Sequence, residues 1–153
     1  MTTRTICNEA VINCSPEQVY DYVTQPWRWH EWHPSSVSAE AAVPVLHEGD
    51  TFDEVICLRP LSPLPPSMLR QTHYRVVTAQ RPLAFEVQGE TDDGGLRIRY
   101  DLSAHGNSAT QFRRQLVYHV SGPVRLIEPL LLYPRMKHLS AVALANLKQS
   151  LES

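Results

Sequence analysis

The chain has 153 residues, which is enough for one domain that buries its own core. Fourteen Lys and Arg residues against sixteen Asp and Glu residues give a net charge of −2, so the strong positive charge of a nucleic-acid-binding protein is absent. No apolar run reaches the ~18 residues of a membrane span, and no signal-peptide core follows the first residues. We therefore expect a single domain over residues 1–153, located in the cytoplasm.

The three cysteines, Cys7, Cys14 and Cys57, are odd in number and lack metal-ligand spacing. They are expected to be reduced thiols that serve as small buried apolar residues. No cofactor is expected.

The N-terminal residues predict a strand followed by two short helices. Apolar and polar residues alternate over Arg4–Cys14. Ser15 then suits an N-cap, Pro16 the first helical position and Gln18 the third position of a capping box. A second short helix is predicted over Trp27–Pro34, closed by its proline.

From residue 37 onward the hydrophobic period becomes two, which indicates consecutive antiparallel strands. They are predicted over Val37–Val45, Thr51–Arg59, Gln71–Ala79, Leu83–Thr91, Leu96–Ala104 and Thr110–Val120. Hairpins centred at Asp93-Gly94, at Gln80-Arg81 and at the loop His105–Asn107 predict the pairs Val87–Tyr100, Val76–Phe85 and Phe112–Tyr100. All three place the apolar side chains on one face.

The C-terminal residues Pro123–Leu151 predict one long helix with kinks at Pro129 and Pro134. Its apolar stripe is Leu126, Leu130, Tyr133, Met136, Leu139, Ala143, Leu147 and Leu151. These elements predict an α+β domain with a curved antiparallel sheet of about seven strands around this helix, the last strand pairing with the first.

Four stretches of sequence resemble the START-related, helix-grip superfamily (SRPBCC), which includes polyketide cyclase/dehydrase and pollen-allergen-like lipid-binding proteins. They are Ser15–Val23 (SPEQVYDYV), Trp29–Pro34 (WHEWHP), Gly49–Phe52 (GDTF) and Leu144–Lys148 (LANLK). The resemblance implies the helix-grip fold and a hydrophobic cavity between sheet and C-terminal helix, which in such proteins holds lipids, sterols, polyketides or other apolar ligands. The Pro-rich stretch Arg59–Met68 and the prolines of the last helix depart from it.

The predicted cavity wall follows from the inward positions of the strands and the helix. The expected ligand-binding residues are Trp32, Phe52, Glu54, Ile56, Tyr74, Phe85, Val87, Ile98, Tyr100, Phe112, Arg114, Leu116, Tyr118, Leu130 and Tyr133. A solid, fully packed core is the alternative.

Arg114 is the most informative member of this set, because strand alternation places it between inward-facing Phe112 and Leu116. An unpaired guanidinium there would be costly, so it should meet Glu54 or an anionic or carbonyl group of a ligand. The alternative is an arginine whose head reaches solvent. Arg114, Glu54, Tyr100 and Tyr118 are the candidate catalytic residues, the tyrosines as weak acids or as orienting groups.

Alternating hairpins place Arg59–Leu69 at the same end as the turn near Gly94. We hypothesise that Leu61, Leu64, Met68 and Leu69 form one lip of the cavity mouth, the alternative being a rigid connector. His30 and His33 are three residues apart, but no further ligand supports a metal site, and His33 is expected to cap a carbonyl.

Three functions remain open. The first is the binding of a hydrophobic small molecule such as a lipid, polyketide, quinone or aromatic compound. The second is an aromatase/cyclase- or dehydrase-like enzyme that uses polar groups in the cavity. The third is an interaction module with a filled core. The expected partner is a hydrophobic small-molecule ligand, with a homodimer left open and no nucleic acid or membrane span.

Overall fold

A computed structural model describes residues 2–59, 67–92 and 94–153. Its seven strands are β1 (Thr2–Ile12), β2 (Ser36–Ala41), β3 (Thr51–Leu58), β4 (Met68–Gln80), β5 (Ala84–Thr91), β6 (Gly94–His105) and β7 (Ala109–Val120). They form one antiparallel sheet in the order β1-β7-β6-β5-β4-β3-β2. The last strand pairs with the first, as predicted.

The helices follow the predicted order. Helix α1 (Pro16–Val23) and a 3-10 segment (Pro26–Glu31) lie between β1 and β2. The C-terminal helix is 29 residues long and consists of α2 (Val124–Ile127), a π-helical turn (Glu128–Leu132) and α3 (Tyr133–Glu152). The curved open sheet with this long helix confirms the α+β helix-grip fold.

The start of α1 shows the predicted capping box. The backbone N–H of Gln18 donates to Ser15 Oγ at 3.3 Å, and the backbone N–H of Ser15 donates to Gln18 Oε1 at 3.2 Å. These two bonds satisfy donors that would otherwise have no partner at the end of a helix. The chain therefore turns sharply from β1 into α1.

The strand faces are as predicted, but the three predicted pairings are wrong by two or three residues. Tyr100 pairs with Phe85 and Arg114, and Val76 pairs with Val87. Thr91 pairs with Gly94, so that hairpin is centred one residue earlier than predicted, while a bulge between residues 76 and 78 shifts β4 against β5. Side chains alternate with a period of two, so a shift of two leaves the face unchanged.

The prediction that Leu126 and Leu130 face the sheet is wrong, because they are 78% and 81% exposed. Pro129 has no N–H for the helical bond, and the backbone there takes the wider π-helical turn. This turn rotates the stripe, so that Glu128 and Leu132 are buried instead.

Among the cysteines, all of which are free, Cys7 is exposed and Cys14 and Cys57 are half-buried. The predicted burial is wrong for Cys7, because its side chain is on the outer face of β1, where Arg113 Nη2 is 3.7 Å from its sulfur. None of the helices in the described ranges is long and apolar enough to cross a membrane.

Candidate functional site

A cavity of about 50 Å³ lies between the sheet and the beginning of α3. A second hollow of about 70 Å³ adjoins it toward the end of the sheet where β3 ends and β4 begins. Both are lined by Ile56, Leu58, Leu96 and Met136. The remaining wall of the cavity is formed by Trp29, Trp32, His33, Ser35, Glu54, Tyr74, Ile98, Tyr100, Arg114, Leu116, Leu139 and Ser140.

Aromatic rings pack against one another beside the cavity. The rings of Phe52 and Tyr74 stack with 4.7 Å between centroids, Trp29 meets Phe52 edge-on at 5.5 Å, and Tyr100 contacts Phe112 at 5.2 Å. Flat rings in these arrangements pack densely. Trp29, Tyr74 and Tyr100 of this cluster also form part of the cavity wall.

The structure places the predicted ligand-binding residues in five locations. Trp32, Glu54, Ile56, Tyr74, Ile98, Tyr100, Arg114 and Leu116 line the cavity. Phe52, Phe85, Val87 and Phe112 are buried in the core but do not reach the cavity wall. Tyr118 lines the second hollow, Tyr133 is half-buried beneath Arg4, and Leu130 is outside on the protein surface. Sequence reasoning missed Trp29, His33, Ser35, Leu58, Leu96, Met136, Leu139 and Ser140.

Arg114 is 3% exposed and has no carboxylate partner. Its Nη1 donates to Ser140 Oγ at 3.2 Å, and its Nε is buried without a hydrogen-bond partner. The predicted ion pair with Glu54 is wrong, since in the described part of the chain no carboxylate oxygen is within 4.0 Å of the guanidinium. The charge of Arg114 is thus buried without a contacting counter-ion.

Glu54 is on the same cavity wall and is 5% exposed. Its Oε2 accepts a hydrogen bond from Ser36 Oγ at 2.7 Å, and its Oε1 accepts one from the Tyr74 hydroxyl at 3.1 Å. Burial raises the pKa of Glu54 to about 7, although these bonds and the charge of Arg114 act in the opposite direction. Near neutral pH this carboxyl group exists in both protonation states.

His33 adds a neutral ring to the wall. Its Nδ1 accepts the backbone N–H of Ser35 at 3.2 Å, so the ring proton is on Nε2. Burial, and secondarily the charge of Arg114, lower the pKa of His33 to about 3. The Nδ1 nitrogen also meets the Ser35 hydroxyl at 2.9 Å, so its partners are two groups of Ser35 and not the carbonyl expected from the sequence. Within the described ranges no three His, Cys, Asp or Glu side chains are grouped to hold a metal ion.

Glu128 forms a second buried polar cluster, which we call the Glu128 clamp: Glu128, Arg4 and Tyr118. Arg4 Nε and Nη2 donate to the two carboxylate oxygens at 2.7 and 3.2 Å, and the Tyr118 hydroxyl donates to Oε1 at 3.0 Å. Glu128 is fully buried. Burial and Glu128 raise the pKa of Tyr118 well above its usual range, and its hydroxyl is directed at the clamp rather than at the cavity. The clamp ties the π-helical turn to β1 and β7.

Gly89 leaves room for the ring that reaches Glu54. A Cβ at this position would be 2.7 Å from Tyr74 Cε1 and 2.7 Å from Thr72 Cγ2. We expect Gly89→Ala to lower the free energy of unfolding by about 2 kcal/mol through overpacking. Urea unfolding measures this, with Gln88→Ala on the exposed face of β5 as the control. Equal stability of the two variants would contradict the assigned contact.

The sequence profile of the family described as "Polyketide cyclase / dehydrase and lipid transport" matches residues 3–152. The chain belongs to this family. The match spans nearly the whole chain, so the matched domain includes every element that builds the cavity. None of the curated protein sequences compared with the chain matches it.

Solved structures share the fold of this polyketide cyclase/dehydrase domain at low sequence identity. A protein from Thermus thermophilus has a TM-score of 0.74 at 15% identity, with 97% of each chain covered. The Zhui aromatase/cyclase from a Streptomyces species has a TM-score of 0.71 at 9% identity, covering 99% of this chain and 94% of its own. A START superfamily protein from Mycobacterium smegmatis has a TM-score of 0.68 at 14% identity, covering 97% and 94%.

Proposed function

We propose that the protein binds a hydrophobic small molecule in the cavity between the sheet and the C-terminal helix. The observation that carries this proposal is the guanidinium of Arg114, which is buried in a largely apolar hollow and contacts no carboxylate of residues 2–59, 67–92 and 94–153. A buried charge is normally paired, and the missing partner suits a polar group at one end of an otherwise apolar ligand. The family and the aromatase/cyclase neighbour support a lipid-like or polyketide-like compound.

The cavity must enlarge to hold such a ligand. Its volume of about 50 Å³ is far below the ~300 Å³ of typical small-molecule pockets. The segment from α2 through the π-helical turn is the part best suited to move, because Pro129 and Pro134 remove helical hydrogen bonds. In addition, the side chains of Leu126 and Leu130 are largely exposed. In this proposal the Glu128 clamp holds the segment closed when no ligand is bound.

Native mass spectrometry of the purified protein tests the proposal. We expect one defined species to remain bound and to leave on collisional activation, after which extraction identifies it. The Arg114→Met variant is expected to carry less of it, whereas Arg97→Met, on the exposed face of β6, is the matched control. Unliganded protein in every preparation, together with no saturable binding of added lipids or aromatic compounds, would refute the proposal.

The alternative is a cyclase- or dehydrase-like enzyme, and one specific observation favours it. Glu54 has a pKa of about 7 and shares the cavity wall with Tyr74, Tyr100 and Arg114. A carboxyl group poised near neutral pH is suited to moving protons. Glu54→Gln separates the two functions, because it would abolish turnover by an enzyme but leave ligand retention in a simple binding protein largely intact.

A further inference from the structure

Two buried N–H donors on the cavity wall have no hydrogen-bond partner among the described residues. They are Nε of Arg114, on β7, and Nε1 of Trp32, which directly follows the 3-10 segment. Trp29 provides a contrast, because its Nε1 donates to the carbonyl of Val23 at 2.8 Å. Unpaired buried donors are uncommon in proteins and call for an explanation.

Both donor residues are neighbours of Tyr100. Tyr100 is the direct cross-strand partner of Arg114, and its ring centroid is 6.4 Å from that of Trp32. His33, on the same wall, carries its proton on Nε2 because Nδ1 accepts from Ser35. Three residues that carry N–H donors therefore line the cavity.

The acceptors on the described part of the wall are already engaged, and the Tyr100 hydroxyl interacts with the guanidinium of Arg114. Both oxygens of Glu54 already accept hydrogen bonds, from Ser36 and Tyr74. The buried acceptors without a partner among the described residues, on Asn8 and Thr72, are on side chains that do not line the cavity. The wall thus has an excess of donors and one fixed positive charge.

We propose that the buried end of the ligand is a carboxylate, held by Arg114 and Trp32, with the apolar remainder against Ile56, Leu96 and Met136. This inference rests on the proposed function and specifies its ligand class as an aliphatic or aromatic carboxylic acid. A planar carboxylate offers two acceptor oxygens to a guanidinium and neutralises its charge. A phosphate would bring more negative charge than a single arginine balances.

Binding assays with matched acids and amides test this inference, and intrinsic tryptophan fluorescence supplies the signal. The aliphatic pair is decanoic acid and decanamide, and the aromatic pair is 2-naphthoic acid and 2-naphthamide. At about pH 6, where Glu54 is mostly protonated, we expect the better-fitting acid to bind at least about tenfold more tightly than its amide. The pair that shows the larger preference for the acid indicates whether the apolar part of the ligand is aliphatic or aromatic.

The variants assign the preference to particular atoms. Arg114→Met is expected to remove the preference for the acid, and Trp32→Phe, which retains a ring but loses the N–H, to reduce it several-fold; Arg97→Met is the control. The wild-type acid-to-amide ratio decides the inference even if a variant does not fold. Equal binding of acid and amide would overturn it while leaving the proposed function intact. Binding of no probe would overturn it, and it would overturn the proposed function as well if native mass spectrometry also finds the protein unliganded.

Discussion

Replacing Glu54 by Gln is expected to make the protein more stable than the wild type above neutral pH. Burial raises the pKa of Glu54 from 4.5 to about 7. Between these values the folded protein holds a proton that the unfolded chain has released, so a rise in pH favours unfolding. The stability that this proton contributes is present below about pH 4.5 and lost as the pH rises through 7.

The size of this effect follows from the shift. A rise of the pKa from 4.5 to about 7 corresponds to about 3 kcal/mol in the free energy of unfolding. Gln keeps the volume and an acceptor for the Tyr74 hydroxyl, but it does not titrate. Urea unfolding at about pH 4.5 and pH 8 should therefore show a difference between wild type and variant that grows by about 3 kcal/mol.

Ser36, Tyr74 and Arg114 are the groups that surround Glu54 and oppose this shift. A Ser36→Ala variant removes one hydrogen bond to the carboxylate and is expected to steepen the pH dependence, whereas Glu90→Gln, on an exposed position, should leave it unchanged. Parallel stability profiles for wild type and Glu54→Gln would show that Glu54 titrates normally. In that case the proton-transfer alternative would lose its support.

Replacing Glu128 by Ala is expected to lower the free energy of unfolding by about 3 kcal/mol. The change removes a fully buried side chain and deprives the Tyr118 hydroxyl and the Arg4 guanidinium of their acceptor. Glu128→Gln retains the volume and one acceptor oxygen, so a loss of about 1 kcal/mol is expected. Chemical denaturation of both variants separates the role of the charge from that of packing.

Arg4→Met is a complementary variant. It leaves the Glu128 carboxylate buried with only Tyr118 as a partner, so it should be more harmful than Glu128→Gln. The rate of amide hydrogen exchange should rise in residues 124–132 in each variant, because the clamp helps to hold this segment against the sheet. Unchanged exchange there would contradict the role of the clamp in holding the segment closed.

The inward faces of the strands were predictable because side chains alternate strictly. Arg114 and Glu54 were placed inside on this basis, and both are almost fully buried. The strand pairings were less predictable, since moving a turn by one residue shifts the partners by two and leaves every face intact. Hydrophobic pattern alone therefore could not choose between Phe85 and Val87 as the partner of Tyr100.

The Glu128 clamp and the separation of Arg114 from Glu54 depend on features that the sequence pattern does not encode. The π-helical turn adds one residue to the helical period, which turned Leu130 outward and Glu128 inward. A signal for Glu128 was present, because it is a lone carboxylate beside Pro129 in an otherwise apolar run. Whether Arg114 meets Glu54 depends on the separation of their strands in three dimensions.

That separation has a consequence for how the site can be influenced from a distance. Strands β4, β5 and β6 lie between the strands of Glu54 and Arg114, so on a flat sheet the two would be roughly 19 Å apart. They line one cavity only because the sheet bends. A substitution that straightens the bulged part of β4 would move Glu54 away from Arg114. It would therefore change the proton affinity of Glu54 without contacting either residue.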